Sequence, residues 1–97
     1  MKKCNTLEEV RTEIDLIDSK LVDLISERSH LIRQAAAFKN SVDEVKAEDR
    51  IDFILQKARN HAIELGISPN LISDLFTIMI NEMVETEISE FRNKEAF

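Results

Sequence analysis

Ninety-seven residues with 19 acidic and 13 basic side chains bound one small acidic domain, and the net charge of −6 argues against nucleic acid or an anionic membrane as a general partner. The single cysteine, Cys4, excludes an internal disulfide and suits a reducing compartment. A third of the residues are charged, with one Gly, one Pro and neither Trp nor Tyr, which is the make-up of long helices and not of a low-complexity chain.

Met1 to Asn5 reads as a loose tail. Thr6-Leu7-Glu8-Glu9 is a capping box, with Thr6 capping the third amide and Glu9 reaching back. Glu8 and Glu9 also suit the positive end of the helix dipole. From there Leu7, Val10, Ile14, Ile17, Leu21, Leu24, Leu31, Ala35 and Phe38 step by three and four, a helix seam running from Thr6 to about Lys39. Arg28 interrupts that seam where an apolar residue is due. A guanidinium buried there unpaired costs several kcal/mol, so an anionic side chain or ligand is expected to meet it.

Such a helix is roughly 50 Å long. A globule of this chain length is only about 30 Å across. The helix and its seam overhang their own domain, and a monomer this small buries a modest core. An intertwined homodimer is therefore expected.

The first helix is expected to end near Asn40-Ser41, and Ser41 to Lys46 reads as a loop that orders when ligand binds. A second helix starts around Ala47 to Asp49 and carries the stripe Ile51, Ile54, Leu55, Ala58, Ala62 and Leu65, closed by Gly66. Ser68-Pro69 restarts the chain as N-cap and first helical residue. The third helix carries Leu71, Ile72, Leu75, Phe76, Met79, Ile80, Met83, Val84, Ile88 and Phe91, and Arg92 to Phe97 reads as a polar tail. The fold class is all-α: three helices, the first very long. Residues 1–97 form a single domain in this reading, with no internal repeat. No apolar run is long enough for a signal peptide or a membrane span, so a cytoplasmic protein is expected.

The chain has no Gly-rich phosphate loop, no His-x-x-x-His, no Cys-x-x-Cys and no Ser/His/Asp set, so neither metal nor nucleophile chemistry is indicated. His30 and His61 fall on separate helices and read as surface residues. What remains is a set of cations. In a seven-residue frame Leu7, Ile14, Leu21, Arg28 and Ala35 share one column, and Arg11, Asp18, Ile25, Ile32 and Lys39 share the next. Arg28 and Lys39 lie about 16 Å apart along the axis, close enough for two long side chains to grip a small dianion. Arg11 is about 25 Å further off, and an antiparallel partner helix would return it. The plain alternative is a set of solvated flank residues or register-setting polar groups. Arg50 follows Glu48 and Asp49 and serves either a surface ion pair or the pocket. Glu87, four residues after Met83 and four before Phe91, edges the apolar face of the third helix and, taken alone, reads as another solvated glutamate of a Glu-rich stretch.

Val10-Arg11-Thr12-Glu13-Ile14-Asp15, Ser26-Glu27-Arg28, Phe38-Lys39, Asp49-Arg50, Gly66-Ile67-Ser68-Pro69 and Leu75-Phe76 with Ile80 resemble the all-helical chorismate mutase family over nearly the whole chain. The resemblance implies an intertwined dimer that rearranges chorismate to prephenate with no cofactor and no metal, an isomerase of aromatic amino acid biosynthesis. Isochorismate pyruvate-lyase, a close relative of the same fold, makes salicylate and pyruvate. The resemblance assigns substrate carboxylate binding to Arg11, from the other chain, and to Arg28, places Arg50 at the opening of the second helix, and makes Lys39 the cation at the breaking ether oxygen. Three positions depart from the usual pattern. Glu87 stands where members often have glutamine and some have glutamate; ionised it would repel the ether oxygen, protonated it would donate, and it is expected to work as the neutral acid. Ile51 stands where many mutases have a glutamate that contacts the substrate hydroxyl, and Met83 where some have a serine. Both make the pocket more apolar, as in the lyase branch.

Three readings follow: chorismate mutase; isochorismate pyruvate-lyase; and a non-catalytic helical dimer or regulatory module that kept the fold. Arg28→Ala separates the last from the others. A pocket role predicts a folded protein that has lost ligand binding, and a structural role predicts only a change in stability.

Overall fold

The computed structural model of the chain describes residues 3–95. Met1, Lys2, Ala96 and Phe97, the ends of the two expected tails, lie outside the described residues. Among the described residues the fold is all-helical with no strand: α1 (Leu7–Ala35), a 3-10 turn (Ala36–Phe38), α2 (Val42–Lys46), α3 (Glu48–Leu65) and α4 (Pro69–Glu95). None of these helices is long and apolar enough to cross a membrane. By its contacts the chain divides into two compact units, between Leu31 and Ile32.

The first unit is most of α1. Its start is built as the sequence indicates: Thr6 Oγ1 accepts from the Glu9 amide at 3.1 Å. Glu9 Oε2 in turn accepts from the Asn5 amide at 2.7 Å, one residue outside the usual box partner. No residue of α1 is buried. The seam residues Leu7, Val10, Ile14, Ile17, Leu21, Leu24 and Leu31 are 39–63% exposed. Periodicity therefore makes this segment helical without supplying the cover that its apolar face calls for.

In the second unit α3 packs against α4, and α4 also packs against α2 and the 3-10 turn. Gly66 ends α3 in the left-handed region (φ 76°), with its amide on the Ala62 and Ile63 carbonyls. The Ile67 amide returns to Ala62 O at 3.0 Å. Ser68 Oγ accepts from the Leu71 amide at 3.1 Å and opens α4. Arg59 Nη1 ties α3 to that start, donating to Pro69 O at 3.3 Å and Asn70 Oδ1 at 3.1 Å.

Two expectations are corrected here. Residues 41–46 are not a loop: 42–46 form α2, because Ser41-Val42-Asp43-Glu44 is a second capping box. Ser41 Oγ accepts from the Glu44 amide at 3.2 Å, and Glu44 Oε2 accepts from the Asn40 amide at 2.6 Å. Val45 anchors this turn by burial. Nor is the stretch from Arg92 a tail, since α4 runs on to Glu95. The reason is Phe91, which is buried with Ala36, Val45 and Ile88 and keeps the last turns docked, with Val42 and Val84 packed alongside.

Candidate active site

The first helix ends earlier than its seam. Helical hydrogen bonding stops at Ala35, the 3-10 turn carries Ala36 to Phe38, and Lys39 follows in extended conformation (φ −92°, ψ 147°). Its amide donates to Ala36 O at 3.3 Å. An axial spacing counted along one unbroken helix therefore does not reach Lys39. The change of direction frees its side chain from the helical column and turns it towards α4.

On α4, Met83, Glu87 and Phe91 recur every four residues and all three are buried. Glu87 is only 4% exposed and is the one buried charged residue among those described. Its Oε1 lies 3.7 Å from Lys39 Nζ. That distance makes an ion pair but lies beyond hydrogen-bond reach, and Oε1 has no hydrogen-bond partner among the described residues. Lys39 Nζ donates instead to the Glu44 carbonyl at 3.2 Å, so α2 also helps hold it.

Burial pushes the Glu87 carboxyl above its ordinary range, and the neighbouring Lys39 ammonium pulls it part of the way back. A buried carboxyl held in the neutral form is a hydrogen-bond donor. An ammonium beside it is a second donor with a full charge. With the acid in that form, the carboxyl and the ammonium would be two donors directed at one small region. The pair suits the stabilisation of an oxygen that gains negative charge during a reaction.

The other expected site residues are placed as follows. Met83 is buried one turn before Glu87, and Ile51 is half-buried in the first turn of α3. Arg50, beside Ile51, is exposed and lies over the Phe53 ring, 5.3 Å from its centroid. In the other unit, Arg11 is exposed on the opening turns of α1, and Arg28 is half-buried further along it. The structure thus brings Lys39 and Glu87 together within the second unit. Arg11 and Arg28 belong to the first.

Two contributors were not visible as site residues in the sequence. Glu44 holds Lys39 Nζ through its carbonyl, and the Ser41-x-x-Glu44 pattern was the available signal. Lys94 Nζ donates to the carbonyl oxygens of Ala36 (3.3 Å), Ala37 (3.2 Å) and Lys39 (2.7 Å). Its signal was phase: Glu87, Phe91 and Lys94 step by four and three along one helix face.

The family model for chorismate mutase type II matches residues 10–88. An isochorismate pyruvate lyase of Pseudomonas aeruginosa is 27% identical, over 92% of this chain and 88% of the relative. A chorismate mutase of Methanocaldococcus jannaschii is 30% identical, over 91% of this chain and 93% of the relative. A 4-amino-4-deoxychorismate mutase of Streptomyces venezuelae is 25% identical, over 90% and 85%.

Proposed function

The chain belongs to the chorismate mutase type II family, and from that premise we propose that it is an isomerase that rearranges chorismate to prephenate. The observation that carries the reading is the Lys39–Glu87 pair: a buried, unsatisfied acid 3.7 Å from an ammonium. A pericyclic rearrangement needs no general base and no covalent intermediate. It needs a folded substrate with its reacting ends close. It also needs donors where the ether oxygen becomes negative. Lys39 supplies the charge and protonated Glu87 the second hydrogen bond. Arg11, Arg28 and Arg50 bind the carboxylates of the dianion, for which a guanidinium fork is suited.

The reading includes a homodimer in which Arg11 comes from a second copy, working in the cytoplasm. The uncovered apolar seam of α1 supports the second copy, and the free thiol of Cys4 suits a reducing compartment.

The lyase is the second reading, favoured by one local feature. Met83 is buried beside Glu87 and Ile51 is half-buried beside Arg50, which makes the lining apolar where a substrate hydroxyl would call for a polar partner. The test is to incubate the purified protein separately with chorismate, isochorismate and 4-amino-4-deoxychorismate and to identify the products. Prephenate from chorismate establishes the mutase. Salicylate and pyruvate from isochorismate, with little prephenate, replace it with the lyase. Turnover of the amino compound alone would overturn both.

A further inference from the structure

We propose that Lys94, near the end of α4, is a positioning residue that holds Lys39 in line with Glu87. The inference rests on the reading of Lys39 as the charge-bearing catalytic group.

Lys39 is gripped at both ends by one helix. Its Nζ faces Glu87 Oε1 at 3.7 Å. Its own carbonyl accepts from Lys94 Nζ at 2.7 Å, the shortest of the three bonds that Lys94 makes. An ammonium has three N–H donors, and the Ala36, Ala37 and Lys39 carbonyls use all of them. These carbonyls belong to the 3-10 turn and the residue after it, where helical partners have run out and the backbone end is negative. The Lys94 ammonium also lies 5.1 Å from the centroid of Phe91, and Phe91 is buried against Ala36. The Lys94 ammonium thus lies beside a ring that packs against the turn that it clamps.

This geometry matters because Lys39 has just left the helix. Its amide is held by Ala36 O and its Nζ by Glu44 O, Lys94 fixes the carbonyl, and a donor aimed at a reacting atom must be placed to within about half an ångström. A misplacement of about 1 Å can cost on the order of a hundredfold in rate. Glu87, Phe91 and Lys94 share one face of α4. The helix that carries the acid thus fixes the backbone of the base of the pair.

A helix cap without this role would matter for stability alone, so the test reads quantities that stability does not move. Lys94→Met is compared with Lys94→Arg, which keeps the charge and the donors, in the wild type and in Lys39→Met. The kinetic expectation is that Lys94→Met lowers kcat at least about tenfold with KM changed by less than about twofold, and that Lys94→Arg recovers most of the loss. In the Lys39→Met background the same change has almost no further effect. The second readout needs no turnover: the carboxyl carbon of Glu87 is followed by NMR through a pH titration. If Lys94 holds Lys39 in place, Lys94→Met moves the Glu87 midpoint upward, because the ammonium that lowers it has swung away. An equal kcat loss in both backgrounds, or an unmoved Glu87 midpoint in folded Lys94→Met, overturns the proposal. A wild type that turns over no chorismate or isochorismate defeats the functional reading instead, and the Glu87 titration still decides the role of Lys94.

Discussion

Residues 7–31 of α1 and residues 80–94 of α4 carry the same kind of signal, apolar side chains at helical spacing, and meet opposite ends. On α1 no side chain is buried and the seam is open from Leu7 to Leu31. On α4, Ile80, Met83, Ile88 and Phe91 are buried and Glu87 is buried with them. Periodicity thus decides secondary structure in both, whereas cover is decided by what the chain can bring to each face. The α4 face is covered from within the second unit. The α1 face is not covered from within its own unit, and the proposed second copy would offer it a face of matching periodicity.

The largest effects test this contrast directly. Phe91→Ala removes a ring from the buried cluster and is expected to cost about 3–5 kcal/mol of folding stability, measured by denaturant unfolding. Leu21→Ala on the open seam separates two cases. In a monomer it changes stability by less than about 0.5 kcal/mol. In the proposed dimer it costs about 2–5 kcal/mol, and the wild-type Tm rises with protein concentration. A Tm independent of concentration, with a silent Leu21→Ala, would remove the second copy from the account.

Lys39→Ala comes next. Loss of one preorganised donor raises a barrier by about 3–4 kcal/mol, a drop in kcat on the order of a hundred- to a thousandfold. Lys39 is mostly buried against Glu87 and Glu44, so Lys39→Ala is also expected to lower the melting temperature, and activity is therefore compared on the folded variant. A variant that melts early and stays active would mean that the pair serves the fold and not the reaction.

Glu87→Gln has a smaller and pH-dependent effect. Because burial raises the Glu87 carboxyl, its neutral donor form persists above the ordinary carboxylate range and is lost as pH rises through the raised value. Wild-type activity should fall through that window, and the glutamine variant, a donor at every pH, should hold level and overtake it on the alkaline side. The same shift ties folding to pH with a definite sign. The carboxyl binds its proton more tightly when folded, so its contribution is complete below the ordinary carboxylate value and is lost as pH rises through the raised one. An unchanged activity profile in Glu87→Gln would show that the titrating group lies elsewhere.

Gly66→Ala gives the smallest change. A Cβ there meets nothing within 4 Å, so only the left-handed backbone opposes it. The expected cost is about 1 kcal/mol by thermal unfolding, with kcat unaffected. A larger cost would mean that the α3–α4 connection carries more than a change of direction.

How much of this could be read in advance differs by residue. Thr6-x-x-Glu9, Gly66 and Ser68-Pro69 mark their helix ends by local chemistry, and each stands where its pattern puts it. Ser41-x-x-Glu44 is as clear a box, but the five-residue helix that it opens is too short to show a period, so the stretch reads as loop. The last turns of α4 are polar, and their helicity depends on Phe91 docking on Ala36 and Val45, which are remote in sequence. Lys39 and Glu87 could be singled out in the sequence as candidate site residues. That Lys39 would step out of its helix to face Glu87 could not be read there, since the break at Ala35 has no Gly or Pro to announce it.

The bonds from Lys94 to residues 36, 37 and 39 span 58, 57 and 55 positions of chain. Closing so long a loop carries an entropic penalty that neighbouring helices do not face. The expectation is that the α3–α4 hairpin organises before the Lys39–Glu87 junction closes, and that this junction opens before the hairpin does. Native-state hydrogen exchange should show the Asn40 amide, although it is tied to Glu44 at 2.6 Å, opening at lower free energy than amides in the middle of α3. If the proposed chemistry rests on the Lys39–Glu87 junction, activity should fade on gentle warming before the helices melt.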